Sequence, residues 1–169
     1  AHIWDAATGE ELLSLRGHNQ WACALAWSPD SSRVATGSHD DTVRVWDAAT
    51  GQTQLVLGAG NSVETVSWSP DGTKLSIGAK IGGNRVWDAT TGEPRLTVDN
   101  GARELSEVVW SPDGTRLATS SYLSPRVLIL DASTGDVVQA LTAGEDDVND
   151  IAWSPDSERI LTGLGDDRA

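Results

Sequence analysis

The chain has 169 residues and a net charge of −13, and its isoelectric point is near 4.4. So acidic a surface repels phosphate backbones, which argues against nucleic acid as a partner. One cysteine, Cys23, excludes an internal disulfide framework, and no apolar stretch approaches the ~18 residues of a membrane span. We therefore expect a cytoplasmic protein without a membrane partner. Ten arginines against two lysines indicate a GC-rich bacterial source.

Two sequence markers recur with one period. The first is the tetrapeptide Trp-Ser-Pro-Asp, which begins at Trp27, Trp68, Trp110 and Trp153. The second is a Trp-Asp pair, which begins at Trp4, Trp46 and Trp87 and has Leu130 in place of Trp in the last copy. Both repeat every 41 to 43 residues, so the chain is built from copies of one structural unit. Each unit is too small to bury a core alone and must stack on a neighbour.

Within one repeat we predict four short strands. Residues 21–27 form an apolar segment in which Ala22, Leu25 and Trp27 are separated by three and then two positions. This spacing indicates a strand with a bulge. A Ser-Pro-Asp turn leads to an alternating second strand over 33–37, then a third over 42–46 and a weaker fourth over 52–57. Four antiparallel strands per period of about 42 residues, without helical periodicity, predict an all-β propeller of four-stranded blades rather than a helical or leucine-rich solenoid.

The unit resembles a WD repeat, and the likeness covers essentially the whole chain. It is carried by Gly17-His18, Trp27–Asp30, Thr36–Ser38, Asp40 and Thr42–Asp47. The resemblance implies a rigid ring of blades that presents loops to protein partners. It also implies a structural tetrad, whose members here are His18, Thr36, Asp40 and Trp46. Hydrogen bonds among these groups would satisfy a buried indole and a buried imidazole.

The first complete repeat alone keeps the whole tetrad. The other copies carry substitutions at Ala59 or Gly60 and Ile81, at Leu123 and Leu130, and at Gly144. We expect those blades to depend on apolar packing. Loss of His18 or Asp40 by substitution with Ala is predicted to destabilise the protein by roughly 1–3 kcal/mol, because it leaves a buried polar group unpaired.

The phase of the repeats predicts one split blade. Whole blades fall at residues 17–58, 59–100 and 101–143, while residues 1–16 supply the last two strands and residues 144–169 the first two strands of another. The residues expected to close it are His2, Ile3, Trp4, Arg159, Ile160, Leu161 and Thr162. Open strand edges invite pairing. One chain could close as a four-bladed ring, or two chains could complete each other's split blade in an eight-bladed homodimer. We favour the homodimer, since blades shaped for a narrow wedge would leave voids in a ring of four.

No acid–base cluster, nucleophile motif or converging set of metal ligands is recognisable, so we predict no catalytic residue, no metal site and no cofactor. Loop positions that vary against a constant framework predict a binding face. These positions are Trp21, Cys23, His39, Ser62, Glu64, Lys80, Glu104, Ser106, Tyr122, Asp147 and Asn149. Trp21 and Tyr122 would be its aromatic anchors. The predicted function is a non-enzymatic scaffold for a protein or peptide; the alternative is a natural or engineered self-assembling half-propeller without a ligand.

Overall fold

The structure is a computed structural model and describes residues 1–80, 84–98, 105–121, 124–144 and 146–165. Every regular element in these ranges is a β-strand, and none of them contains a helix long and apolar enough to cross a membrane. The strands are β1 (His2–Trp4), β2 (Glu11–Ser14), β3 (Ala22–Trp27), β4 (Arg33–Ser38), β5 (Thr42–Asp47), β6 (Thr53–Gly58), β7 (Val63–Trp68), β8 (Lys74–Ala79), β9 (Asn84–Asp88), β10 (Pro94–Val98), β11 (Leu105–Trp110), β12 (Arg116–Ser121), β13 (Arg126–Asp131), β14 (Val137–Thr142), β15 (Val148–Trp153) and β16 (Ile160–Leu164).

The strands form three full blades and two shorter sheets. Blade 1 is β3–β6, blade 2 is β7–β10 and blade 3 is β11–β14, and in each the strands pair antiparallel in chain order. We call the two-stranded sheets the N-terminal pair (β1 and β2) and the C-terminal pair (β15 and β16). The predicted all-β fold of four-stranded antiparallel sheets is confirmed. The predicted bulge in the first strand of a blade lies between Ala22 and Ala24 in blade 1.

The Trp-Ser-Pro-Asp tetrapeptide forms the turn after that strand. In blade 1, Ser28 Oγ lies 2.5 Å from Asp30 Oδ1 and accepts the backbone N–H of Arg33 at 2.9 Å. Ser31 then takes a positive φ of 59°, and the corresponding Gly72 of blade 2 has φ 69°. The hydrogen bond from Ser28, then those from Ser32, lower the pKa of Asp30 to about 2. The Ser and Asp side chains therefore hold a turn.

Adjacent sheets pack through apolar side chains. Ala35 and Val45 of blade 1 share a buried cluster with Val66 and Trp68 of blade 2. Similar clusters join blade 2 to blade 3, blade 3 to the C-terminal pair, and the N-terminal pair to blade 1. Burial of one large apolar side chain stabilises the fold by roughly 1.5–3 kcal/mol, so the stacking of neighbours holds each blade. It also brings equivalent loops to equivalent positions along the row.

Candidate functional site

In blade 1 the four tetrad side chains form one chain of hydrogen bonds. Trp46 Nε1 donates to Thr36 Oγ1 at 2.9 Å, and Thr36 Oγ1 lies 2.7 Å from His18 Nε2. His18 Nδ1 lies 2.9 Å from Asp40 Oδ2. With the imidazole proton on Nδ1, each N–H and O–H along this chain has an acceptor. The side chains of His18 and Asp40 are only 9% and 8% exposed, so these bonds satisfy groups that water reaches poorly.

Asp40 ends this chain and gathers further donors. Thr42 Oγ1 donates to Asp40 Oδ1 at 2.6 Å, and the backbone N–H of Asn19 donates to Oδ2 at 2.9 Å. Burial alone would raise the pKa of Asp40, but the hydrogen bonds from Thr42, Asn19 and His18 outweigh it and hold the pKa well below its usual range. The ionised carboxylate therefore ties the loop after β4 to the loop before β3.

Blades 2 and 3 each keep only one of the two residues that form the Trp46–Thr36 hydrogen bond in blade 1. Trp87 of blade 2 is buried, yet its Nε1 has no hydrogen-bond partner among the described residues, because Ile77 stands where blade 1 has Thr36. In blade 3 the hydroxyl of Thr119 is buried and unpaired in the described part of the chain, because Leu130 stands where blade 1 has Trp46. Sequence reasoning noted Leu130 but missed Ile77, although its repeat position gives the signal.

In blades 1 and 2 and in the C-terminal pair, the loops at one end are joined by a recurring backbone hydrogen bond. His39 N–H donates to Trp21 O at 3.0 Å in blade 1, Lys80 N–H to Ser62 O at 2.8 Å in blade 2, and Gly165 N–H to Asp147 O at 3.0 Å in the C-terminal pair. These loops carry Trp21, His39, Ser62, Lys80 and Asp147 of the predicted binding face, while Cys23, Glu64 and Asn149 lie on the strands β3, β7 and β15. Glu104 and Tyr122, also predicted there, lie outside the described residues, as does the side chain of Ser106.

Trp21 is the most exposed large apolar side chain described at this loop end, at 81%. Its ring is tilted against the His39 ring, with centroids 6.3 Å apart. Nearby, Cys23 Sγ lies 3.0 Å from Val63 O, and burial, then the charge of Glu64, raises the pKa of the thiol. The thiol is therefore held in its weakly nucleophilic protonated form. Trp21, by contrast, offers an aromatic contact surface. Of the other predicted face residues, Asn149 is exposed and Asp147 is half-buried.

At the two ends of the row, one edge of β1 and one edge of β16 have no strand partner among the described residues. Among the described residues β1 pairs only with β2, and β16 only with β15. Trp4, which corresponds to buried Trp46, is 57% exposed, and Leu161, which corresponds to buried Ala35, is 73% exposed. Among the described residues, the Arg159 guanidinium pairs only with Asp156 of its own turn, whose Oδ2 lies 3.3 Å from Nη2. Ile3 is buried against blade 1, and His2 Nδ1 lies 2.8 Å from Glu11 Oε1.

Acidic and metal-binding groups are scattered rather than clustered. Within the described ranges no three His, Cys, Asp or Glu side chains are placed to hold a metal ion. One acidic side chain lies between blade 3 and the C-terminal pair: Glu107, whose Oε2 accepts the backbone N–H of Ile151 at 2.6 Å. Burial, and less strongly the neighbouring Asp150, raises the pKa of Glu107 to about 7.

Comparisons with known proteins agree with this geometry. The family model described as WD domain, G-beta repeat, matches residues 9–47, and that of the anaphase-promoting complex subunit 4 WD40 domain matches residues 83–156. Coronin-7 of Mus musculus is 43% identical over 58 residues, which are 34% of this chain and 6% of that protein. The chain thus matches only a small part of that relative.

Two solved structures show the same fold. The computationally designed Ika8 protein superposes with a TM-score of 0.83 and 24% identity, over 96% of this chain and 49% of the Ika8 chain. The computationally designed Ika4 protein superposes with a TM-score of 0.81 and 23% identity, over 94% of both chains. Rows of four-stranded antiparallel blades define a β-propeller repeat protein. The chain belongs to the WD-repeat family, as its repeats predicted.

Proposed function

We propose that this chain is a non-enzymatic WD-repeat scaffold that binds a protein or peptide on its loop face and assembles as a homodimer by completing a split blade. The observation that carries the binding proposal is Trp21. Its large ring is displayed next to His39 on loops that the Asp40 hydrogen bonds hold in place. A rigid, exposed aromatic side chain is the type of anchor that dominates protein interfaces.

The assembly proposal is supported by the register of the complete blades. Val34 pairs with Trp46 in blade 1, and Leu117 pairs with Leu130 in blade 3. In the same register, Ile160 of one copy would lie opposite Trp4 of the other, and Thr162 opposite His2. This pairing would cover the exposed ring of Trp4 and fill both open strand edges. Two such closures relate two chains by a two-fold axis and give eight blades.

Light scattering coupled to size-exclusion chromatography tests the assembly on a polypeptide of these 169 residues. We expect a mass twice the 17.9 kDa of one chain. A substitution of Ile160 by Pro should return the mass of one chain, because proline removes the β16 backbone donor at this residue and disfavours a central strand position. A mass of 17.9 kDa for the unsubstituted chain would reject the homodimer.

Selection of peptides from a displayed random library tests the binding face. Selected peptides should lose at least tenfold in affinity for a variant carrying Trp21→Ala and Tyr122→Ala, since aromatic anchors contribute about 2 kcal/mol or more. Val138→Ala is the matched control, because Val138 is exposed on β14, away from these loops. Equal affinity for all three proteins would show that this face is not the binding surface.

The likeness to Ika8 and Ika4 favours one alternative: a natural or engineered half-propeller that assembles but has no ligand of its own. In that case the 169-residue chain still dimerises, and the library yields no peptide that competes at Trp21. The two functions are therefore separated by the peptide selection, while both require assembly.

A further inference from the structure

A basic residue follows each Trp-Ser-Pro-Asp turn, and in blades 1 and 3 its side chain reaches the next sheet. In blade 1, the guanidinium carbon of Arg33 lies 4.6 Å from the ring centroid of Trp68 in blade 2. Arg33 also donates to two carbonyls of blade 2, from Nη2 to Gly72 O and from Nη1 to Ala89 O, each at 2.8 Å. One arginine thus clamps two blades by stacking and by hydrogen bonds at once.

The same clamp joins blade 3 to the C-terminal pair. The guanidinium carbon of Arg116 lies 5.1 Å from the ring centroid of Trp153, and Nη2 donates to Ser157 O at 2.6 Å. Each tryptophan also donates a hydrogen bond from its indole to the first strand of the preceding blade. Trp153 Nε1 donates to Val109 O of β11 at 3.4 Å, and Trp68 Nε1 donates to Ala26 O of β3 at 3.2 Å. The arrangement is therefore a repeated unit of the blade junction.

The junction between blades 2 and 3 lacks this arginine. Lys74 takes its place, and Trp110 Nε1 is buried with no hydrogen-bond partner among the described residues. A cavity of about 320 Å³ remains there, lined in part by Lys74, Trp110 and Gly114. Lysine lacks the planar fork that stacks on an indole and reaches two carbonyls together.

The two ends of the row carry the corresponding arginine and tryptophan on separate sheets. Arg159, on the C-terminal pair, corresponds to Arg33, and its side chain is 78% exposed. Trp27, on the first strand of blade 1, corresponds to Trp68 and is 52% exposed, while the neighbouring Leu25 is 62% exposed. The residues corresponding to Leu25 in the next two blades, Val66 and Val108, are buried.

A groove beside Trp27 has the position that a covering strand needs. Its volume is about 150 Å³, and it runs between β1 and β3, with Ile3, Leu25 and Trp27 in its lining. In the complete blades, the second strand occupies this position, between the third strand of its own blade and the first strand of the next. Leu161 is the apolar side chain of β16 that corresponds to Ala35, which is buried at such a junction.

We infer that β16 of one copy lies in this groove of the other copy. Leu161 of the first copy would then pack against Leu25 of the second, and Arg159 of the first would stack on Trp27 of the second. The inference rests on the proposed homodimer and adds a second contact to it, distinct from the pairing of β16 with β1. Arg159 would then donate to the carbonyls of Ser31 and Ala48 of the partner subunit, which correspond to those of Gly72 and Ala89 that accept from Arg33. The occupant is a second copy because its β16 carries this Leu161 and Arg159.

The test is the dimer dissociation constant, measured by sedimentation equilibrium. Arg159→Ala should raise it roughly 100-fold, because a stacked guanidinium contributes about tenfold and a two-fold dimer contains the contact twice. Arg159→Lys should also raise it, as the cavity beside Lys74 indicates. Arg95→Ala is the matched control: it makes the same change in net charge, and the Arg95 side chain is 56% exposed on blade 2.

A double-mutant cycle ties the effect to the tryptophan. Once Trp27 is replaced by Ala, adding Arg159→Ala should raise the dissociation constant by a smaller factor than it does in the wild-type chain, because only the two carbonyl hydrogen bonds remain to be lost. Both side chains are exposed in the single chain, so each variant should keep the wild-type circular dichroism spectrum. An unsubstituted chain of monomer mass would reject the homodimer and this contact together. A dimer that Arg159→Ala weakens no more than Arg95→Ala would reject the contact and leave the homodimer standing.

Discussion

Blades 1 and 3 each bury a threonine at the same register position, but in the described structure only the threonine of blade 1 has a side-chain hydrogen-bond partner. Thr36 of blade 1 accepts the indole N–H of Trp46 and lies in hydrogen-bond distance of His18. Thr119 of blade 3 is equally buried, but its hydroxyl has no partner among the described residues, because Leu130 replaces the tryptophan. A buried polar side chain stabilises a protein only when its partners are present, and otherwise its desolvation is uncompensated.

Blade 2 shows the complementary loss, since it keeps the indole of Trp87 and replaces the hydroxyl by Ile77. The three blades are thus held by one shared apolar framework, to which, in the described part of the chain, only blade 1 adds a complete polar network. The difference predicts that matched substitutions will have opposite effects in blade 1 and blade 3.

The largest effect is expected at Asp40. Asp40→Ala removes the acceptor of His18, Thr42 and the Asn19 N–H together and should lower the free energy of unfolding by about 3 kcal/mol. Because the pKa of Asp40 is lowered on folding, its contribution is present above the ordinary value of 3.8 and is lost as the pH falls through the lowered value. Urea denaturation at pH 7 and at acidic pH measures both; Asp136→Ala, at an exposed position, is the control.

Thr36→Val in blade 1 should destabilise by about 2 kcal/mol, because the isosteric side chain leaves the indole of Trp46 and the imidazole of His18 without their shared partner. Urea denaturation at a fixed protein concentration gives the value, since dimerisation would make stability depend on concentration. A change below about 0.5 kcal/mol would mean that water or another group replaces the hydroxyl.

Thr119→Val in blade 3 is the same substitution and should have the opposite sign. It removes a buried hydroxyl that has no partner in the described structure and keeps the volume, so we expect a gain of up to about 1 kcal/mol in the free energy of unfolding. The same denaturation experiment compares it with Thr36→Val. Destabilisation of similar size in both variants would show that blade 3 satisfies its threonine after all.

The local parts of this comparison could be predicted from sequence, and the contacts between blades could not. The strand expected at 33–37 is found at Arg33–Ser38, and the one expected at 42–46 at Thr42–Asp47, because turns and alternation are set by neighbouring residues. By contrast, the bond from Arg33 to Ala89 spans 56 positions. It depends on which strand the next blade presents, and the repeat period alone does not specify that.

The burial of Glu107 is a second example of such a non-local effect. Ala24 occupies its position in blade 1, so sequence reasoning had no reason to single it out. The carboxyl group becomes half-buried only because blade 3 packs against β15, where Ile151 donates to it and Asp150 lies close. This contact supplies the smallest predicted effect and a difference between blades that depends on pH.

Glu107→Gln should remove a pH dependence from the free energy of unfolding. Blade 1 has no such dependence at this position, because it carries Ala24 there. The pKa of Glu107 is about 7 in the folded chain, above its ordinary value of 4.5. The folded state therefore binds the proton more tightly, and the stabilisation is fully present below pH 4.5 and is lost as the pH rises through 7. The substituted amide cannot titrate but still offers an oxygen to the Ile151 N–H. Denaturation between pH 5 and 8 should thus show a shallower decline for Glu107→Gln than for wild type or for exposed Glu93→Gln, and parallel curves would assign the decline to other groups.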